Sequence, residues 1–359
     1  MPVQPVNFDI GVLAAAGQEA ADDYRDGLAI NCSLLHWQEK ANGKGTKKWK
    51  GGQYYPGSIN MQNHTGISQF VDGFELFDPS ANETQRVPLY PLCVSGLLMK
   101  IGVTERYIYG ATDGAMQTKV RTLTQSCMGF LQRSWEQRIL TATGSGFGNW
   151  LTLNGIDSSA GVFERGAAGS GQSNTIGGLS KATYASVIGW NNRVANLNNA
   201  FGTNQIGLYS LVQQTRIHKP ETGKKAWFMT LNGMVNIKRV VQGYQRFTST
   251  DSKSMDFGTP VEFYQGIPIY QDTFLPVAGA STTTYPMTAL LLDADDIFWA
   301  WGKAQKGDGA PLPDGYFGTG QWATIGGLQS VIGCPMMVVG NTIVLDMGSS
   351  GIAYAGETY

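Results

Sequence analysis

Few residues in this chain are spaced as chemistry would require. Asp293, Asp295 and Asp296 fall within four positions of the run Leu292-Asp293-Ala294-Asp295-Asp296-Ile297. Three neighbouring carboxylates offer hard oxygen donors to a divalent cation. Their place at the edge of an apolar, strand-forming run favours the plainer role of a loop or solvated strand end. Gly144-Ser145-Gly146-Phe147-Gly148 has the glycine density of a phosphate-cradling loop. It follows a helical pattern, however, where the nucleotide loop needs a strand leading into a helix. His36, His64 and His218 are the only histidines and lie on three separate segments, so each reads as a surface or interface residue rather than a ligand or a base. The G-x-S-x-G, Walker and H-E-x-x-H patterns are absent. Nine tryptophans and fifteen tyrosines could stack on sugars, but aromatic residues equally anchor interfaces, and no paired carboxylates complete a glycosidase site. The reading is of a non-enzymatic chain with no catalytic residue, no cofactor and no metal.

Composition bounds the rest. Charged residues make up 15% of the 359 positions, against about 25% in ordinary soluble chains, and 47 glycines are nearly twice the usual share. So little charge implies a surface covered in large part by other chains. The net charge of −1 gives no global pull toward nucleic acid or an anionic membrane. Cys32, Cys93, Cys127 and Cys334 are too far apart for a Cys-x-x-Cys site and read as reduced, mostly buried thiols. The start lacks the basic and apolar regions of a secretory signal, and no run approaches the ~20 apolar residues of a membrane span. A cytosolic origin is expected.

The element best defined by pattern runs from Thr112 to Thr143. Met116, Val120, Leu123, Cys127, Phe130, Leu131, Trp135, Ile139 and Leu140 recur at steps of three or four, which places them on one stripe of a helix. Thr112 or Asp113 would cap its start, and Gly144 and Gly146 would supply the left-handed backbone that ends it. About 29 residues make a rod of roughly 43 Å, which suits equally a central core helix of a mixed domain and the spine of a flat subunit.

Residues 1–37 carry Asp9, Glu19, Asp22, Asp23 and Asp26 against Arg25 alone, and read either as an acidic arm that needs another surface or, from the helix formers Ala14–Ala16 and Ala20–Ala21, as a terminal helix packed on its own domain. Residues 38–91 begin with Lys40, Lys44, Lys47, Lys48 and Lys50, pass through Tyr54-Tyr55-Pro56-Gly57, and return through Asp72, Glu75, Asp78 and Glu83. Two limbs of opposite charge predict a long antiparallel excursion whose charges face each other. An excursion of that length with little core of its own fits better lying on a neighbour. Val94–Ile101 and Arg106–Tyr109 read as strands. Ten of the 35 residues from Gly144 to Gly178 are glycine, predicting a mobile or irregularly wrapping crossover. Helices are expected over Ser180 to about Ala200, Asn204–His218 and Asn232–Gly243. Strands are expected at Ala226–Leu231, Pro260–Ile269, Thr288–Trp301 and Met336–Asp346, the last broken by a hairpin turn at Gly340-Asn341. Irregular alternation of helix and strand points to α+β.

This order of segments resembles the tailed-bacteriophage major capsid protein with the Hong Kong 97-like fold. Local stretches resemble it too: Leu153-Asn154-Gly155-Ile156-Asp157, Gly177-Gly178-Leu179-Ser180 with Tyr184, Phe263-Tyr264-Gln265-Gly266-Ile267-Pro268-Ile269, and Ala289-Leu290-Leu291-Leu292-Asp293. The resemblance spans nearly the whole chain. It implies an N-arm at 1–37, an extended loop at 38–91, a peripheral domain at 92–150 that holds the spine helix, an axial domain at 151–285, and a return to the peripheral domain at 286–359. Lys47, Lys48, Trp49, Tyr54, Tyr55, Phe74 and Phe77 would contact the adjacent subunit, while Met116, Val120, Leu123, Phe130 and Trp135 would pack the spine. The implied function is a structural shell of pentamers and hexamers, the icosahedral head that encloses phage DNA. Implied partners are copies of itself, a separate scaffolding protein, the portal, a decoration protein, and double-stranded DNA bound without sequence specificity; no membrane is involved. The expected location is the virion, after assembly in the host cytoplasm. Two rivals are an encapsulin-type compartment shell, whose chains are generally shorter, and a non-enzymatic surface or carbohydrate-binding protein, which should carry an export signal.

Overall fold

The computed structural model describes residues 33–42, 47–48, 53–55, 59–60, 85–102, 105, 113–144, 146–155, 159–164, 171–185, 187–196, 205–220, 224–230, 233–234, 262–275, 288–301, 317–319, 323–325 and 328–354. Within them helix and strand mix as an α+β fold. The elements are α1 (Ser33–Asn42), β1 (Lys47–Lys48), β2 (Ile59–Asn60), β3 (Gln85–Arg86), β4 (Cys93–Ile101) and α2 (Asp113–Thr141). There follow β5 (Thr175–Ile176), β6 (Leu179–Ser180), β7 (Arg193–Asn196), α3 (Gln205–His218), β8 (Lys225–Met229), β9 (Glu262–Tyr264) and β10 (Ile267–Gln271). The chain closes with β11 (Thr288–Asp293), β12 (Ile297–Trp301), β13 (Phe317–Thr319), β14 (Ala323–Ile325), β15 (Leu328–Val344) and β16 (Gly351–Tyr354).

Two six-stranded sheets organise the molecule. In the first, β15 pairs antiparallel with β4, β12, β13 and β14, and β1 adds to β12 in parallel. The second has the order β7-β16-β11-β8-β10-β9. Its strands are apolar on both faces because both are covered: Ala226, Phe228, Leu290, Leu292 and Ile352 join the main core, while Trp227, Met229, Ala289, Leu291 and Ala353 join a second cluster with Leu208, Leu211 and Val212 of α3.

Helix α2 packs on β4 and, at 29 residues, is the long helix that the periodicity predicts. Met116, Val120, Leu131, Trp135, Ile139 and Leu140 are buried. The stripe turns more sharply than expected. Thr124 and Met128 are buried, Leu123 and Cys127 only partly, and Phe130 is exposed. At 3.6 residues per turn, position 130 is rotated about 200° from Met128, onto the outer side. Thr124 is accommodated by donating its hydroxyl to Met99 Sδ at 3.8 Å. The helix ends on Ala142 (φ 66), not on a glycine; Gly146 (φ 77) makes a second, separate turn. The Arg138 guanidinium seals the end by donating to the carbonyls of Ala142, Gly148 and Trp150.

Other expectations need correction. The described part of the glycine-rich crossover is tightly packed, with Phe147, Trp150, Leu153, Val162, Phe163 and Ile176 buried. A Cβ on Gly161 would lie 1.9 Å from the Asn154 carbonyl oxygen, so that glycine serves close approach rather than motion. Among the described residues of 180–196 there is no α-helix: β6 ends at Ser180, a 3-10 turn spans Ile188–Trp190, and β7 follows. β15 runs unbroken through Gly340-Asn341, where a Cβ on Gly340 would meet the Ala300 carbonyl at 2.3 Å. Thr288–Trp301 divides into β11 and β12, which belong to different sheets. Arg106–Tyr109 and most of Asn232–Gly243 lie outside the described residues.

Helix α1 crosses the expected arm–loop boundary at 37/38 and packs on its own chain. Leu34 and Trp37 are buried, Trp37 stands edge-on to Phe228 at 5.3 Å, and the Leu34 amide donates to Glu136 Oε1 of α2 at 2.9 Å. The base of the 38–91 excursion also returns home. β1 joins the first sheet, β2 pairs antiparallel with β3, Tyr55 stacks edge-on against Phe298 at 5.8 Å, and Ile59 is buried. At its base β2 and β3 run antiparallel, whereas Lys47 and Lys48, expected to face the acidic limb, lie parallel to β12; Asp72, Glu75, Asp78 and Glu83 lie outside the described residues.

Candidate functional site

Every described cluster of chemistry-bearing side chains has a structural occupation. The three aspartates lie at the turn between β11 and β12, where the end of α3 brings lysines to meet them. Lys219 Nζ is 2.8 Å from Asp296 and 3.4 Å from Asp293, and Lys224 Nζ is 2.7 Å from Asp295. Burial works against the Lys219 charge, but its hydrogen bond to Asp296 and the surrounding carboxylates outweigh that and raise its pKa. Burial raises the Asp293 pKa and lowers that of Lys225 to about 8. Lysines therefore take the place a cation would have held. Among the described residues no group of three or more metal-ligating side chains converges.

His218, expected at a surface or interface, is half-buried and bonded: Nε2 lies 2.6 Å from Asp346 Oδ2, tying the end of α3 to the turn after β15. No motif or spacing pointed to Lys181. Its side chain is fully buried and donates to the Val162 carbonyl, to Gln172 Oε1 at 3.2 Å and to Asn192 Oδ1 at 2.7 Å, with Glu164 Oε2 at 3.3 Å. Glu164 in turn accepts from the Ser173 and Asn174 amides. Desolvation lowers the Lys181 pKa to about 8, against the pull of Glu164. The network pins the crossover to the start of β7. Lys181→Met should cost about 3–5 kcal/mol by leaving the Glu164 carboxylate buried and uncompensated, read as a lower urea midpoint with unchanged slope.

The thiols are likewise structural. Cys93 and Cys334 are buried and Cys127 is partly so; all three are free, while Cys32 lies outside the described residues. Burial pushes Cys334 up to about 12 from an ordinary 9.0. An unfolded thiol ionises first, so stability is full below about pH 9 and falls as pH rises toward 12, by about 1.4 kcal/mol per unit. Cys334→Ala removes that slope. The stability gap between wild type and variant should therefore narrow between pH 8 and pH 10.5 in parallel urea titrations.

Of the expected contact residues, Tyr54 is exposed and bridges to Pro91, Tyr55 is half-buried against Phe298, and Lys47 and Lys48 form β1. Trp49, Phe74 and Phe77 lie outside the described residues. No protein-family model matches the sequence, and no curated protein does. Solved structures do. The capsid asymmetric unit of cyanophage A-1(L) is similar with a TM-score of 0.53 and 13% identity, covering 82% of this chain and 86% of that one. The chain has the Hong Kong 97-like capsid fold. The capsid of a native GTA particle shares this fold at TM-score 0.52 and 10% identity, over 86% of both chains. So does the SrpI encapsulin of Synechococcus elongatus PCC 7942, at TM-score 0.50 and 12% identity, over 87% of this chain and 88% of that one. The two coverages make that encapsulin nearly equal in length to this chain, so length does not separate the two kinds of shell as expected.

Proposed function

We propose that this chain is a major capsid protein, a non-enzymatic subunit that assembles with copies of itself into pentamers and hexamers of an icosahedral head enclosing phage DNA. The observation that carries the reading is the capsid fold, shared over more than four-fifths of this chain and of the cyanophage and GTA capsid chains. Low charge supports it, since a subunit covered on several edges needs little charge for solubility. A flat subunit with unlike edges makes heterologous contacts that close into rings, and rings tile into a shell.

In this reading residues 1–37 are the arm, 38–91 the extended loop, 92–150 with 286–359 the peripheral domain, and 151–285 the axial domain, with α2 as the spine. Lys47, Lys48, Trp49, Tyr54, Tyr55, Phe74 and Phe77 lie along the loop that reaches the adjacent subunit. A separate scaffolding protein, the portal, a decoration protein and double-stranded DNA are its partners, the host cytoplasm its place of assembly and the virion its destination. Purified protein, alone or with its scaffold, should sediment as rings or closed shells visible by negative stain. A chain that stays monomeric at micromolar concentration under all conditions overturns the reading. Shells that enclose a cargo enzyme and no DNA favour the encapsulin alternative.

A further inference from the structure

The Lys181 amine is shut away from water and set against the carboxamide of a second buried side chain. Lys181, Glu164, Gln172 and Asn192 are all buried, Lys181 and Asn192 completely. The amine faces the Val162 carbonyl, Gln172 Oε1 at 3.2 Å, Asn192 Oδ1 at 2.7 Å and Glu164 Oε2 at 3.3 Å. An ammonium has an N–H for three of these acceptors; a free amine keeps two and gains a lone pair. Once a proton has passed to the Glu164 carboxylate, the remaining N–H groups serve Val162 and Gln172, and the lone pair is left facing Asn192. With a C=O bond of about 1.2 Å beyond that 2.7 Å contact, Asn192 Cγ lies at most about 3.9 Å from the amine. A reacting pair needs to come to ~3–3.5 Å, so a small turn of the lysine tip closes the gap.

The carboxamide is held at both ends. Its oxygen accepts from the Glu164 backbone amide at 3.1 Å, a donor placed to steady negative charge that develops there. Its nitrogen donates to the Glu164 carbonyl at 2.8 Å. Gln172 fixes the Asn192 backbone, accepting from its amide at 3.1 Å and donating to its carbonyl at 2.8 Å. The common fate of an asparagine is attack on its side chain by the next backbone nitrogen. Here that nitrogen is on Arg193 and donates to the Ser350 carbonyl at 3.1 Å, where β7 meets β16, so it is engaged elsewhere. Desolvation, which lowers the Lys181 pKa to about 8, increases the share of free amine, as burial does for lysines that act as nucleophiles.

We propose that Lys181 and Asn192 of one chain join in an autocatalytic isopeptide bond, with Glu164 as the base, closing residues 181–192 into a covalent ring between β6 and β7. Glu164 takes the ammonium proton, and Nζ attacks Cγ while charge gathers on Oδ1. A proton of the attacking nitrogen passes to Nδ2, the carbonyl re-forms, and the Cγ–Nδ2 bond breaks. The departing ammonia takes up the proton held by Glu164, which returns to a carboxylate. Atoms and charge balance with no oxidant, reductant or second substrate. The bond lies within a single subunit and stands independently of the shell reading.

Mass spectrometry of the folded, full-length wild type after prolonged incubation is the test. The chain should weigh one ammonia less than its sequence. After denaturation trypsin should fail to cut beyond Lys181 and should release residues 166–193 as one peptide short of one ammonia. Chymotrypsin, cutting after Tyr184 and Trp190, should leave the pieces that carry Lys181 and Asn192 joined. Lys181→Arg, which keeps the charge, and Asn192→Ala should both show their full sequence mass. Glu164→Gln should form the link roughly 100-fold more slowly or worse; linking at the wild-type rate removes Glu164 as the base. A wild type at full sequence mass overturns the proposal whether or not the variants fold. So does a lost ammonia with trypsin still cutting after Lys181, the mark of a cyclised asparagine, and so does a link from Lys181 to Gln172.

Discussion

Trp135→Ala is expected to lower the unfolding free energy by about 3–5 kcal/mol, the usual cost of emptying a buried aromatic site. Trp135 is fully buried on α2. Its ring stacks on Trp299 of β12 with centroids 3.5 Å apart, and Trp150 meets Trp299 edge-on at 5.4 Å. Three indoles from a helix, a crossover and a strand thus join α2 to the first sheet. Removing the helix end of this row leaves a cavity whose walls belong to rigid elements, so collapse can recover little of the loss. Trp299 is anchored on its other side by the close approach of Gly340, where a Cβ would sit 2.8 Å from the indole nitrogen. The measurement is a urea titration of the unassembled protein. Phe130→Ala is the control: with Phe130 half exposed on the same helix, its change should stay within about 0.5 kcal/mol. Equal losses at both positions would contradict the helix orientation described above.

That pair of residues also shows how far the sequence could be read. Periodicity located α2 to within a residue or two of its ends because 29 residues give eight turns over which errors average out. It could not choose between stripes that differ by one position, and it favoured the one richest in hydrophobic types, which wrongly included Phe130. α3 and the β9–β10 turn were legible for similar reasons. The latter has Gln265 (φ 56) and Gly266 (φ 77) both left-handed, the signature of a tight hairpin.

The failures lie where tertiary contacts override local preference. The helix expected from Ser180 is replaced by turns because Lys181 turns inward to Glu164, Gln172 and Asn192. Asn191 also spends its amide on the Tyr184, Ala185 and Val187 carbonyls. Side chains that capture backbone groups in this way compete with the helix ladder. Gly340-Asn341 looked like a hairpin turn because the dipeptide favours one. In the fold Asn341 donates to the Pro91 carbonyl and accepts from the Leu151 amide, so it bridges strand to crossover while β15 continues. Neither pattern can be seen without knowing which distant residues arrive. The exposed row of β4 is hidden for a related reason: Val94, Leu97, Leu98 and Met99 are alike apolar in type, and only the alternation of burial fixes which side is covered.

Deleting residues 61–84 is expected to leave the folded subunit nearly as stable as wild type and to abolish closed shells. The register gives the splice point: Asn60 is paired with Gln85, and Ile59 with Arg86. A two-residue Asn-Gly link closes such a pair as a tight hairpin without moving either strand. The stem contacts of Tyr55 and Ile59 stay in place, which a larger deletion starting near Lys44 would forfeit together with β1. The removed piece carries Phe74 and Phe77, the two aromatics assigned above to contact with an adjacent subunit, among Asp72, Glu75, Asp78 and Glu83. Melting should shift by no more than a few degrees, while sedimentation should show monomers or open rings in place of shells. A deleted chain that builds normal shells would remove the extended loop from the assembly contacts. A chain that instead fails to fold would mean that residues 61–84 pack on their own subunit, and the division between a self-sufficient stem and an outward-reaching tip would fall with it.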